Sequence, residues 1–121
     1  MTAIPALVFL TAATVLGVYL GFLYLRRIVR KPVLIGVHLL LGAAGIEMTV
    51  MLLRGTPGGE ATPAGTFGVV AAGLLALAMV SGLAAPLLGR RSRQTANIML
   101  STHAGIALAG FALFLAWMTN A

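Results

Sequence analysis

The chain of 121 residues contains no cysteine. That excludes disulfides, thiolate metal sites and a covalently tethered c-type haem. It leaves the redox compartment open, because a membrane protein can lack cysteine anywhere. Charge is almost as scarce. Only 8% of the residues are charged and 60% are hydrophobic, against about 25% charged in soluble domains. A water-soluble globule needs a polar surface that this composition cannot supply, so the chain reads as an integral membrane protein. Polar–apolar alternation is missing too, and continuous apolar runs stand in its place, which excludes a closed β-barrel. Acidic residues are limited to Glu47 and Glu60, and histidines to His38 and His103.

What charge there is has a clear placement. The net charge is +6, and seven of the eight basic residues lie in two short stretches, RRIVRK from Arg26 and GRRSR from Gly89. No basic residue is interleaved with aromatics as on a base-stacking surface, so nucleic acid is not an expected partner. Short basic loops between apolar spans are topology signals instead.

Four spans follow, at about 4–25, 33–54, 67–88 and 96–118. Each has about 22 residues, or about 33 Å of helix, enough for a hydrocarbon core of about 30 Å. A cleaved signal peptide fits the first span poorly, since no Lys or Arg precedes it and it is too long. Thr2 is a candidate N-cap there and Pro5 suits the first turn. Gly17 and Gly21 form a GxxxG pair that suggests a packing face. The stretch 55–66, rich in Gly, Pro and Thr, reads as a loop. Trp117 is expected to anchor the last span at the interface. The expected architecture is all-α, a single transmembrane domain over 1–121, built as an up-down-up-down four-helix bundle. Positive-inside puts both basic loops in the cytoplasm and both termini outside, with a bacterial inner membrane as the expected location.

The second and fourth spans echo each other. His38 falls on His103, Gly42 on Ala107, Gly45 on Gly110, and Arg26 on Arg91. Both histidine-bearing spans enter from the basic side, His38 about 8 Å and His103 about 11 Å along at 1.5 Å per residue. Ionisable residues inside a span are costly and usually functional. Two neutral imidazoles at one depth are the ligand set for a single haem iron. Gly42, Gly45, Ala107 and Gly110, on the ligands' own faces, leave space for the plate. Lys31, Arg26, Arg27, Arg30, Arg90, Arg91 and Arg93 are candidate partners for the propionates. Each ring's second nitrogen is expected to donate to a carbonyl one turn back, at Leu34 or Met99. The bland alternative is that both histidines only hydrogen-bond between helices. Glu47 is nine residues after His38, about 180° around the helix, and points away from that space.

This pattern, His38 and His103 with Gly42, Gly45 and Gly110 in four spans, resembles small b-type membrane cytochromes, the four-helix class of cytochrome b561-like proteins and cytochrome b anchor subunits. The resemblance implies one bis-histidine haem b per chain. It also implies electron transfer between a quinone pool and a partner protein, as a subunit of a respiratory or photosynthetic complex rather than a stand-alone enzyme. Members of the b561-like group usually carry four ligand histidines; this chain has two. Two other readings stand beside it. One is a haem-free transporter similar to small multidrug-resistance proteins, whose single intramembrane Glu lies in the first span, not the second as here. The other is a purely structural accessory subunit.

Overall fold

The computed structural model describes residues 3–55 and 63–120. They form four helices and no strand: α1 (Ile4–Leu25), α2 (Pro32–Gly55), α3 (Pro63–Leu88) and α4 (Arg93–Asn120). All four contain segments long and apolar enough to cross a membrane. The protein is thus an all-α membrane protein, as its composition requires. The reading as one domain meets two compact units, Met1–Leu52 and Leu53–Ala121. The first is built on α1 and α2, the second on α3 and α4.

Local chemistry sets the helix ends. Helix α1 opens with a proline in its first turn, and its N-cap is Ala3, which makes no side-chain bond; Thr2 lies outside the described residues. At the other end Arg27 N–H donates to the Tyr24 carbonyl (3.1 Å) and Ile28 N–H to the Leu23 carbonyl (2.9 Å). That pair of bonds is the Schellman closure. It sets Arg27 in the left-handed region, with φ 57°, where glycine is the usual occupant.

Helix α4 starts three residues earlier than expected. Ser92 supplies the cap: its Oγ accepts the Thr95 N–H at 3.0 Å, and its carbonyl accepts the Ala96 N–H at 3.1 Å. Helix α3 likewise starts at Pro63, four residues into what reads as loop, because proline suits a first helical position. Pro86 lies within its last turn and the helix continues to Leu88. Residues 56–62, with Glu60, lie outside the described residues.

In the first hairpin, Ala6, Leu10, Ala13 and Leu20 are buried on α1 at alternating four- and three-residue steps around Gly17. This 3.5-residue spacing is that of a seam running along one face. The seam meets α2 in antiparallel order: a side chain on Gly45 would strike Leu10, and one on Gly17 would strike the His38 ring. The second hairpin repeats the plan with Ala71, Leu75, Ala78 and Ala85 buried around Gly82. There Gly110 meets Leu75 and Gly82 meets the His103 ring. Trp117 is not an interfacial anchor. It is 4% exposed, edge-on to Phe114 at 6.0 Å, and packed where a side chain on Gly68 would stand. An indole can be buried against glycine here because the missing Cβ leaves it room.

Candidate functional site

Each histidine is held by the neighbouring helix of its own hairpin. His38 Nδ1 lies 2.9 Å from the Ala13 carbonyl, and His103 Nδ1 lies 2.6 Å from the Ala78 carbonyl, in both cases 25 residues earlier in the chain. A carbonyl only accepts, so Nδ1 carries the proton in both rings. In the neutral ring the lone pair then sits on Nε2. The expected partners at Leu34 and Met99 are corrected by this geometry. The carbonyl one turn back belongs to the ring's own helix, whereas the ring reaches sideways onto the helix opposite.

Glycine makes that reach possible. An ideal Cβ on Gly17 would stand 2.8 Å from His38 Cε1, and one on Gly82 would stand 2.7 Å from His103 Cε1. Real Cβ atoms do not come so close, so any larger residue displaces the ring or the helix. The GxxxG pair therefore splits: Gly17 is in contact, while a side chain on Gly21 would meet nothing within 4 Å. The histidines themselves are half-buried.

The glycines assigned to a plate divide in the same way. At Gly45 and Gly110 the space where a side chain would stand is filled from within the hairpin. A Cβ on Gly45 would lie 2.5 Å from Leu10 Cδ2, and one on Gly110 would lie 3.1 Å from Leu75 Cδ2. They stand seven residues from the histidines, on the face that meets the neighbouring helix of the hairpin. Gly42, four residues after His38 and so about 60° round the helix from Gly45, has open space where a side chain would stand, and Ala107 is half-buried.

His38 and His103 each lie 17 residues before the last residue of their helix. Measured from the basic end they differ, about 9 Å along α2 and about 15 Å along α4, because the Ser92 cap adds a turn to α4. The basic residues lie at the turns. Arg26, Arg27, Lys31, Arg90, Arg91 and Arg93 are exposed and Arg30 is half-exposed. Arg26 lies over the Phe22 ring at 5.7 Å and Arg30 over the Tyr24 ring at 4.8 Å. Among the described residues no group of three or more His, Cys, Asp or Glu is arranged to hold a metal ion.

The chain matches no family model, no curated protein and no solved structure.

The offset that carries His38 to His103 also carries Ala6 to Ala71, Leu10 to Leu75, Ala13 to Ala78 and Gly17 to Gly82. These five pairs are identical; Ala13, Gly17 and His38, with Ala78, Gly82 and His103, form the histidine contacts. Reading the echo only in the second and fourth spans misses Ala13, Gly17, Ala78 and Gly82. Extending the same offset back through the first and third spans finds them.

Proposed function

We propose that the chain is a membrane-embedded b-type cytochrome in which His38 and His103 are axial ligands of haem b. One observation carries the reading. Each imidazole has Nδ1 anchored to a backbone carbonyl across the hairpin, and such an anchor fixes tautomer and ring orientation in metal-ligating histidines. In the neutral rings so anchored, Nε2 is the nitrogen with a lone pair for iron. The open space at Gly42 supports room beside His38, and the basic turns supply candidate propionate partners in Arg26, Arg27, Arg30, Lys31, Arg90 and Arg91. Bound haem supplies one-electron transfer. The role that follows is an electron carrier between a quinone pool and a partner subunit in the membrane. The charge of the two basic turns supports an orientation with those turns in the cytoplasm and both termini outside.

The same Nδ1 bonds also support a second reading, in which the histidines are interhelical pins and nothing more. An absorption spectrum separates the two. Chain purified from cells supplied with haem should show a low-spin spectrum with sharp α and β bands on reduction, and acid solvent should extract the haem. His38→Ala and His103→Ala should each remove the low-spin signature. One haem per chain in a monomer means that both ligands come from one copy; in a dimer whose like ligands pair across two copies the ratio is also one, and each His→Ala variant would then keep half of the haem. A chain with no Soret band, whose His→Ala variants change only stability, is a pinned pair of hairpins and the cytochrome assignment is wrong.

A further inference from the structure

Glu47 stands outside the hairpin design. It is exposed on α2, and no hydrogen bond or ion pair reaches it among the described residues. It lies eight residues before the end of α2, about 12 Å along the axis. A carboxyl there is within the hydrocarbon of a core about 30 Å thick, and its side chain is too short to reach the interface. The equivalent position on α4 is Ala112, so the hairpin fold does not require an ionisable residue at that place. An intramembrane carboxylate in contact with lipid alone is costly, and such residues pair with a partner group.

The surface around it is continuous. Val33, Val37, Leu40, Ala44, Glu47, Met51 and Arg54 recur at alternating four- and three-residue steps, and all but Ala44 are exposed. That is the period of a helix-packing seam running the length of α2. A second copy in the same membrane orientation is a poor occupant. Parallel pairing about this seam sets Glu47 against Glu47, and the seam's one cation, Arg54, is seven residues away, about 10 Å along the axis.

We infer that this face of α2 docks a membrane-spanning helix of a different protein, one that presents a basic or hydrogen-bond-donating side chain to Glu47. The inference does not depend on haem.

Two measurements test it on the full chain. In lipid vesicles, the purified chain is mixed with a fluorescently labelled polyleucine helix carrying one lysine at the depth of Glu47, or with the same helix lacking lysine. The lysine helix should associate at least tenfold more tightly, and Glu47→Gln should abolish the difference while far-UV circular dichroism stays unchanged. In the native membrane, a photocrosslinking residue at Leu40 should give one discrete heavier adduct. Its partner helix, read by mass spectrometry, should carry the donor side chain, and Glu47→Gln should reduce the adduct at least tenfold. Equal association of the two helices overturns the inference. So does an adduct that is a second copy of the chain, that contains lipid only, or that is indifferent to Glu47→Gln. Leu40→Cys supplies an independent check in a chain without native cysteine: efficient disulfide dimers would show that the face is self-associating and the inference wrong.

Discussion

At the level of the histidines the first hairpin holds Ala13, Gly17 and His38 where the second holds Ala78, Gly82 and His103, and the contacts match. Further from the basic turns the two hairpins part. Thr49 is fully buried in the first, its hydroxyl donating to the Gly45 carbonyl at 2.7 Å. At the equivalent place in the second is Phe114, also fully buried. Leu52 is replaced by Trp117, Glu47 by Ala112, and Ala3 by Gly68. The turns differ as well: Arg27 closes the first in a left-handed conformation, while a serine cap opens α4 in the second. Even the shared carbonyl is treated differently. Ala78 also accepts from the Ser81 hydroxyl at 3.0 Å, where the first hairpin has Leu16. What the two hairpins share is the histidine contact. What they vary is the filling of the far end and the closing of the turn.

If that division is right, the hairpins respond unequally where they differ and alike where they match. The largest effect is expected at the far end. Phe114→Ala should cost about 3 kcal/mol, the low end for a buried phenylalanine, since lipid is no worse than protein for an apolar side chain. Thr49→Ala should cost less than about 1 kcal/mol, because its hydroxyl bonds only its own helix. Unfolding in detergent with increasing dodecyl sulfate, followed by Trp117 fluorescence and helicity, measures both. Equal losses would mean that the far ends carry the same load and the comparison fails.

The matched level comes next. Gly17→Ala and Gly82→Ala should each cost about 1–3 kcal/mol by overpacking against the imidazole. Gly21→Ala and Gly73→Ala, where a side chain meets nothing within 4 Å, should be neutral, or stabilising by about 0.5 kcal/mol from helix propensity. The same unfolding assay reads all four. Similar responses at Gly17 and Gly21 would show that the ring contact does not constrain the helix.

The smallest effects are expected at the turns, with opposite signs. Ser92→Ala should lose about 1 kcal/mol with its cap. Arg27→Gly should gain up to about 1 kcal/mol, since glycine adopts positive φ without the Cβ penalty. Amide exchange over residues 24–30 and 90–96 localises each change to its turn. A loss at both positions would mean that the Arg27 side chain contributes more than its backbone costs.

The four helices were legible in the sequence because a run of about 20 apolar residues has few other physical solutions. The histidines were legible because a polar ring in such a run is conspicuous. Their partners were not. Ala13 and Ala78 act through backbone carbonyls, which every residue owns, and Gly17 and Gly82 act by lacking a side chain. Trp117 was misplaced for a related reason. An aromatic near a span's end suits the interface, and only the packing against Phe114 and Gly68 shows that it is covered. The starts of α3 and α4 lie outside the apolar runs because 63–66 is Pro-Ala-Gly-Thr and 92–95 is polar, while Pro63 and Ser92 are themselves the signals that start a helix.

The Nδ1 bonds also impose an order on synthesis. In each hairpin the acceptor carbonyl, Ala13 or Ala78, is translated before the imidazole that uses it. The span bearing the polar ring therefore leaves the ribosome second, after a short basic turn, with its acceptor helix already made. Insertion as a pair spares each histidine a passage through lipid alone. Reversing the order of the two helices in either hairpin would ask a solitary span to carry an unsatisfied ring into the bilayer.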